Sequence, residues 1–305
     1  MGESRGTRRS RRGACARTYT ACNRIHRSRV CNSDVTDHHP PDIDTTVPRS
    51  ARVYNYFLGG ADNFEVDREA AERVAALRGG WGKAGTGPRA QRAFLGRAIR
   101  YLAKEFGIRQ FLDIGCGIPA RDHTHEVARR AVPDARVVYV DRDPVVTRHV
   151  RALLETLPDA STVYIEADLR DPEGILRAAA GTFDTSLPVA IMLLGILHHI
   201  EDEDEARDIV RRLIDGVPTR SFVAISQVAS DIQKEMISVA DKYTEDLFEA
   251  LIPRSYGEVL RFFEGLEFVE PGLIPIQLWR PDDPTAIPPD RDHLAPAYAG
   301  VARKP

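Results

Sequence analysis

Five short apolar segments, each followed by a segment with helical spacing, occur between residues 111 and 250 of this 305-residue chain. The fourth, residues 189–197, is apolar at nearly every position, which is typical of a strand that is buried on both faces of a sheet. The pattern predicts an α/β fold in which a mostly parallel sheet has helices on both faces. We expect the five strands at residues 111–114, 136–140, 162–167, 189–197 and 222–227.

Capping and turn residues mark the elements that flank these strands. Asp143 and Asp171 each precede a proline, which is typical of an N-cap followed by a first-turn proline. Ser50 is expected to cap a short helix that ends before Gly59. Helices are expected at residues 51–58, 65–77, 89–105, 121–131, 144–157, 203–215, 231–250 and 256–263, with a loop at residues 79–88. Residues 267–270 are expected to form a strand, and residues 298–302 to return antiparallel as the last strand.

Composition excludes several classes of protein. The chain has 42 Lys and Arg, 45 Asp and Glu, 43% hydrophobic residues and four Cys, which describes an ordinary globular protein. Four cysteines do not form a disulfide framework, and the longest apolar run, residues 189–200, is too short to span a bilayer. We therefore expect a cytoplasmic protein that does not bind a membrane.

The first 40 residues differ from the rest, because they hold nine arginines, no lysine and three acids. They have few large apolar residues and no regular period, so we expect residues 1–46 to be a disordered extension. Cys15, Cys22 and Cys31 are too widely spaced for a usual structural zinc site, and no metal is predicted. A transit peptide, a nucleic-acid-binding arm and a translation start placed too far upstream are alternatives. At most we expect weak nucleic-acid binding here.

Polar residues and glycines stand where the predicted strands end. They are Asp113, Gly115 and Gly117 around the end of the first strand, Asp141 after the second, Asp168 after the third, and His198 and His199 after the fourth. In open α/β sheets, ligands bind beyond the carboxyl ends of the strands. The sequence therefore predicts a ligand site at this edge, whereas Asp143 and Asp171 are better explained as helix caps.

Two classes of ligand suit a glycine turn followed by an acid at the next strand end. Residues 115–120 fit a dinucleotide-binding fingerprint, with Asp141 to accept from a ribose hydroxyl. Against this interpretation, Pro119 removes an N–H that a pyrophosphate would use, and Asp113 adds negative charge. An NAD(P)-dependent oxidoreductase is therefore the weaker alternative.

S-adenosylmethionine has no phosphate and carries an ammonium and a sulfonium, so an acidic pocket suits it. In this interpretation the backbone at Gly115 and Gly117 passes close to the methionine portion. Asp141 accepts from both ribose hydroxyls, Asp168 accepts from the adenine amine, and the N–H of Leu169 reaches a ring nitrogen.

Four segments resemble the successive motifs of the seven-stranded, class I S-adenosylmethionine-dependent methyltransferases: FLDIGCG at 111–117, YVD at 139–141, EADL at 166–169 and LHHI at 197–200. More narrowly, SARVYNYFLGG at 50–60, with residues 62–64 and 67–68, is similar to the N-terminal signature of a bacterial family of such enzymes with mostly undefined substrates. The resemblance implies a Rossmann-like fold with a seven-stranded, mostly parallel sheet. It also implies one domain over residues 47–305, with a helical lid and first helix at 47–106 and an α/β core at 107–305.

The resemblance implies that the N-terminal helices close over the cofactor, which would bring Tyr54, Asn63 and Phe64 near it. The predicted cofactor-binding residues are then Tyr54, Asn63, Phe64, Asp113, Gly115, Cys116, Gly117, Asp141, Arg142, Asp168 and Leu169. The sequence departs from the family pattern at Gln91, where Asn is expected, and at His199, where an apolar residue is usual.

Methyl transfer from a sulfonium is an in-line displacement, so the protein contributes mainly alignment. His198 is the candidate catalytic residue, because it can take a proton from a hydroxyl acceptor. Since neighbouring strand residues face opposite sides, only one of His198 and His199 is expected to face the cofactor, and a structural role is the alternative for each. The sequence thus predicts methyl transfer to an oxygen or nitrogen of a small-molecule acceptor. A non-catalytic protein that binds S-adenosylmethionine is the main alternative.

Overall fold

The computed structural model describes residues 44–120, 122–157, 160–247, 249–287 and 294–305. The predicted extension, residues 1–46, lies outside the described residues except for its last three positions. Cys15, Cys22 and Cys31 lie outside them as well. Among the described helices, none combines the length and the apolar composition that crossing a membrane requires.

One sheet of eight strands lies at the centre of the described residues. The strands are β1 (Gln110–Ile114), β2 (Arg136–Asp141), β3 (Thr162–Glu166), β4 (Ala190–Leu194), β5 (Phe222–Val228), β6 (Glu267–Phe268), β7 (Ile274–Pro275) and β8 (Ala297–Arg303). Their order is β3-β2-β1-β4-β5-β8-β6, and β7 also pairs with β8. Strands β1 to β5 are parallel, whereas β8 runs antiparallel to β5, β6 and β7.

The mostly parallel sheet and the antiparallel last strand confirm the predictions, but the expected number of seven strands was wrong. The additional strand is Ile274–Pro275, which pairs with Ala299 and Tyr298 of β8. Two residues in a proline-rich connection carry no alternation of apolar and polar positions, so sequence periodicity does not reveal them.

The helices of the described residues are α1 (Ser50–Phe57), α2 (Glu65–Leu77), α3 (Trp81–Ala84), α4 (Thr86–Glu105), α5 (Thr124–Ala131), α6 (Pro144–Leu154), α7 (Pro172–Ala179), α8 (Glu203–Asp215), α9 (Met236–Leu247) and α10 (Tyr256–Arg261). The predicted caps of α6 and α7 are confirmed. The Asp143 carboxylate accepts from the N–H of Val145, and the Asp171 carboxylate accepts from the N–H of Gly174.

Several predicted helix boundaries were wrong; for example, α9 begins at Met236 and not at residue 231. The expected loop at residues 79–88 contains α3 and the start of α4, since Pro88 lies in the first turn of α4, where its missing N–H costs nothing. Helix α5 begins after His123, whose N–H donates to the Glu126 carboxylate, and not at residue 121. Ser50 is the first residue of α1, and Arg49 takes the N-cap position.

Helices cover both faces of the sheet, as predicted. Phe111 of β1 belongs to one apolar core with Phe94 of α4 and the fully buried Trp279. Its neighbour Leu112 belongs to a second core with Leu213 of α8. Successive side chains of a strand point to opposite faces, so one strand contributes to both cores.

A buried ion pair joins α1 to α2. The Nε of Arg52 lies 3.1 Å from Oδ1 of Asp67, and both side chains are almost completely buried. The Arg52 guanidinium also donates to the carbonyl oxygens of Asp44 and Val47. Because these contacts satisfy the buried charges, they hold the start of the described chain and α1 against α2.

Candidate functional site

A cleft lies at the carboxyl ends of β1 to β4, with about 1300 Å³ of empty space, part of which is open solvent. The chain runs outward from β1 to β3 and returns on the other side of β1 to form β4, so strand order reverses between β1 and β4. Ligands of open α/β sheets bind at such a reversal. Short segments that follow these strands line the cleft, among them residues 115–118, 141–143, 167–170 and 195–196.

Most of the residues predicted from the sequence meet in this cleft. Its lining includes Tyr54, Asp113, Gly115, Cys116, Gly117, Asp141, Arg142, Asp168, Leu169 and His198. Asn63 and Phe64 are not part of the lining. The Asn63 amide donates to Asn55 and Gly60, and the Phe64 ring lies 5.1 Å from the Arg52 guanidinium. Contact of Asn63 and Phe64 with a cofactor therefore stays a prediction.

The glycine turn after β1 has a backbone that favours glycine. Gly115 and Gly117 have φ values of +74° and +65°. A Cβ at Gly115 would lie 2.7 Å from the Ile196 side chain, whereas a Cβ at Gly117 would meet nothing within 4 Å. Helix α5 begins only at Thr124, so the turn does not lead directly into a helix N-terminus. The turn therefore lacks the helix-end N–H groups that a dinucleotide pyrophosphate uses.

Backbone N–H groups orient the Asp141 carboxylate at the end of β2. Oδ2 accepts from Gly117 at 2.9 Å, and Oδ1 accepts from Asp143 at 3.0 Å. Burial raises the pKa of Asp141 despite these two hydrogen bonds. A carboxylate has about four acceptor positions, so each oxygen keeps capacity for a donor from the cleft.

Asp168 is held from two sides. Nη1 of Arg142 lies 3.0 Å from Oδ2, and the N–H of Arg170 donates to Oδ1 at 2.9 Å. Burial acts to raise the pKa of Asp168, but the hydrogen bonds from Arg170 and Arg142 outweigh it and lower the pKa overall. Asp168 is therefore an anionic acceptor at the cleft near neutral pH.

His198 and His199 lie in a 3-10 turn, Leu197–His199, that follows β4. The strand geometry that the prediction of a single cofactor-facing histidine assumed is absent here. Both residues line the cleft, and their ring centroids lie 4.4 Å apart, so which ring faces the cofactor stays a prediction. Nδ1 of His199 lies 2.7 Å from the carbonyl oxygen of Ala250, so it carries the proton and leaves Nε2 as an acceptor. Burial lowers the pKa of both imidazoles, that of His198 most strongly, so both are neutral at pH 7.

The wall opposite the strand ends contains residues that the sequence reasoning missed. Tyr243 and Glu249 line the cleft together with Ser50 and Tyr54 of α1. The Ser50 N–H and hydroxyl both donate to the Glu249 carboxylate, and the Tyr54 hydroxyl donates to the carbonyl of Pro88 at 3.1 Å. Burial raises the pKa of Glu249. No motif marks Tyr243 or Glu249, because they are distant from the strand ends in sequence.

Helix α4 contributes further residues that were not predicted to bind the cofactor, although Gln91 was noted as a departure from the family pattern. Gln91, Arg92 and Leu95 line the cleft, and Nε2 of Gln91 donates to the Leu194 carbonyl at 2.8 Å. The spacing of Gln91 and Leu95 on one helix face is the signal that would have indicated this surface. In the part of the chain that the structure describes, no three His, Cys, Asp or Glu side chains are grouped to hold a metal ion.

A parallel sheet with a glycine turn and carboxylates at successive strand ends suits a protein that binds a nucleoside cofactor where the strand order reverses. The sequence model of the S-adenosyl methyltransferase family matches residues 36–305, and the chain belongs to that family. It is therefore an S-adenosylmethionine-dependent methyltransferase, and S-adenosylmethionine is its cofactor. The alternative of an NAD(P)-dependent oxidoreductase was wrong.

Two solved structures are similar over nearly their whole length. A DUF574 family protein from Streptomyces avermitilis is 41% identical, with a TM-score of 0.80, and the match covers 86% of this chain and 99% of that one. A protein from Thermobifida fusca assigned to the methyltransferases is 39% identical, with a TM-score of 0.78, and the match covers 88% and 99% of the two chains. A search of curated proteins found no match.

Proposed function

We propose that the protein transfers the methyl group of S-adenosylmethionine to an oxygen or nitrogen of a small-molecule acceptor. The observation that carries this proposal is that the cleft extends beyond the strand ends to a wall formed by α1, Tyr243 and Glu249. A second, small molecule bound against this wall would lie beside the cofactor. The wall limits the acceptor to compounds that fit beneath α1.

The proposed position of the cofactor follows the charges of the cleft. Asp141 accepts from the ribose hydroxyls, and Asp168 and Leu169 receive the adenine. The methionine portion lies along the turn from Gly115 to Gly117. The fixed orientation of Asp141 supports this arrangement, because an acceptor held by two N–H groups loses little freedom when a ligand binds.

The N-terminal signature is proposed to build a lid. The Asn55 side chain accepts from the Asp62 N–H and the Asn63 amide, and a Cβ on Gly60 would lie 2.3 Å from the Asn55 side chain. These contacts close the loop between α1 and α2, which supports the signature as one structural unit. Asn63 and Phe64 would reach the cofactor only if this loop moves toward the cleft.

The proposed domain covers residues 47–305, with residues 47–106 as lid and first helix and residues 107–305 as α/β core. The Arg52 guanidinium contacts the carbonyls of both Val47 and Asp44, so the packing of the domain extends to at least residue 44, slightly before the proposed boundary. Both similar solved structures come from bacteria, which supports a bacterial enzyme. A cytoplasmic location remains our expectation from the cysteine content.

His198 is proposed to accept a hydrogen bond from the acceptor and so to orient its nucleophilic atom. The pKa of its buried imidazole is well below the ordinary value, because burial and the neighbouring His199 and Arg254 disfavour the cation. A neutral ring accepts hydrogen bonds, but a lowered pKa makes it a weak proton acceptor. This role therefore fits an amine or an acidic hydroxyl better than an alkyl alcohol.

The test is methyl transfer from isotopically labelled S-adenosylmethionine to a panel of small phenols, amines and alcohols. With the best acceptor, we expect His198→Ala to lower kcat by about 10- to 100-fold, because the acceptor loses its orienting hydrogen bond. His149→Ala, outside the cleft lining, serves as the histidine control. An unchanged kcat in His198→Ala would exclude the proposed role. A wild-type protein that binds S-adenosylhomocysteine but methylates none of these compounds would contradict the proposed class of acceptor.

A further inference from the structure

Arg92 is a cation of the cleft that lacks a counter-ion. It lies on α4, lines the cleft, and its Nε is buried without a hydrogen-bond partner. No hydrogen bond or ion pair joins its guanidinium to any residue that the structure describes. Arg92 is only partly buried, but its Nε is shut off from water without an acceptor, which costs free energy that an anion bound in the cleft would recover.

The other two arginines of the lining are already paired. Arg142 lies 3.0 Å from the Asp168 carboxylate, and Arg170 lies 2.9 Å from the Glu205 carboxylate and 3.7 Å from that of Asp168. Both belong to the Asp168 end of the cleft. Arg92 therefore differs from them in its position and in its lack of a partner.

Asp113 lies at the same end of the cleft as Arg92 and has the opposite charge. Its Oδ2 accepts from the Thr124 hydroxyl at 2.5 Å. Burial raises the pKa of Asp113 to about 6, and the nearby Arg92 cation acts in the opposite direction. The two charged groups thus face the same region without forming an ion pair. The other groups near Arg92 carry no charge that would neutralise it: burial lowers the pKa of His123 to about 3, raises that of Tyr54 to about 12, and raises that of the Cys116 thiol.

An acid and a base that are held apart at one end of a cleft are complementary to a zwitterion. The methionine portion of the cofactor carries an α-ammonium and an α-carboxylate on one carbon. We infer that Arg92 binds the α-carboxylate of the cofactor, while Asp113 accepts a hydrogen bond from its α-ammonium. This inference rests on the proposed position of the methionine portion at the turn from Gly115 to Gly117.

Because Arg92 and Asp113 would each bind one charged group of the methionine portion, the affinity of a ligand should depend on its amino-acid part. S-adenosylhomocysteine carries both charges, S-adenosyl-3-thiopropylamine lacks only the carboxylate, and 5′-methylthioadenosine lacks both groups. A guanidinium that binds the carboxylate strengthens the binding of S-adenosylhomocysteine alone. Asp113 strengthens the binding of both S-adenosylhomocysteine and S-adenosyl-3-thiopropylamine, because each of them carries the ammonium.

The experiment is calorimetric titration of these three ligands into the full chain. We expect Arg92→Met to raise the Kd of S-adenosylhomocysteine by about 10- to 100-fold, because a charge-assisted contact is lost. The Kd values of the other two ligands should stay within about twofold, which also shows that the variant is folded. Arg92→Lys should lose less affinity for S-adenosylhomocysteine than Arg92→Met, because lysine keeps the positive charge. The control is Arg89→Met one turn earlier on α4, since Arg89 is exposed, donates to the Gly82 carbonyl and does not line the cleft.

Two outcomes would overturn the inference. An equal loss of affinity for all three ligands would assign Arg92 a structural role, and an unchanged Kd for S-adenosylhomocysteine would assign it no role in binding. If the wild-type protein itself does not bind S-adenosylhomocysteine, the proposed function fails. If the wild type binds it and Arg92→Met does not discriminate among the ligands, only the role of Arg92 fails.

Discussion

Asp113 should destabilise the ligand-free protein in a pH-dependent way. Burial raises its pKa from the ordinary 3.8 to about 6. Below pH 3.8 the carboxyl is protonated in both the folded and the unfolded state and has no effect. Between the two pKa values the unfolded state ionises first, so the folded state loses stability as the pH rises. At about 1.4 kcal/mol per pKa unit, the loss above pH 6 is about 3 kcal/mol.

Asp113→Asn removes the charge and keeps an oxygen for the Thr124 hydroxyl. We expect the variant without ligand to be about 3 kcal/mol more stable than the wild type at pH 7.5, and this gain should shrink toward zero near pH 4. Urea unfolding at half-unit steps between pH 4.5 and 7.5 measures both trends. Asp141 retains a dependence of the same sign in the variant, because burial raises its pKa as well.

Asp134→Asn is the matched control. This exposed carboxylate accepts from Arg109, which lowers its pKa, so its titration falls below the measured window. The unfolding free energy of Asp134→Asn relative to wild type should therefore not change between pH 4.5 and 7.5. A variant Asp113→Asn that is less stable than wild type at pH 7.5, or whose gain does not depend on pH, would refute the burial argument.

Three further variants test the cleft and its support. Asp141→Ala should weaken binding of both S-adenosylhomocysteine and 5′-methylthioadenosine by about 1.5–3 kcal/mol in calorimetry, and an unchanged Kd would show that the carboxylate only holds the loop. Gly117→Ala should lower the free energy of unfolding by about 1–2 kcal/mol, because alanine is strained at a positive φ. Gly115→Ala should lower it further, because its Cβ would also lie 2.7 Å from the Ile196 side chain. Equal losses in urea unfolding would contradict this reasoning. Arg52→Met leaves the buried Asp67 unpaired and should cost about 3–5 kcal/mol, measured by thermal unfolding, with a loss below 1 kcal/mol excluding a structural role for the pair.

The sheet was predictable because a parallel strand that is buried on both faces has to be apolar throughout. Residues 189–197 identified β4 in this way, although the observed strand ends at Leu194. Helix α3 was missed because four glycines between residues 79 and 85 resemble a loop. Its stability comes from tertiary contacts, since Trp81 packs edge-on against Tyr56 at 5.1 Å.

The candidate site was predictable only where topology determines it. Asp113, Asp141 and Asp168 could be placed together because the carboxyl ends of parallel strands lie at one edge of the sheet. Arg92 lies on helix α4, whereas Glu249 follows the end of helix α9. The approach of both segments to that edge depends on packing, which one sequence does not encode locally. The geometry assumed for the histidine pair was wrong for a related reason, because β4 ends at Leu194 and residues 197–199 form a 3-10 turn.

The placement of β8 between β5 and β6 also has a consequence for biosynthesis. Val228 lies opposite Ala297, so about 70 residues must be made after β5 before its free edge is covered. At about 5–20 residues per second, the ribosome needs roughly 4–14 s for that stretch. During this interval the apolar strand Phe222–Val228 offers unpaired backbone groups to any other nascent chain. A chain that stops before residue 297 should therefore aggregate instead of yielding a smaller enzyme.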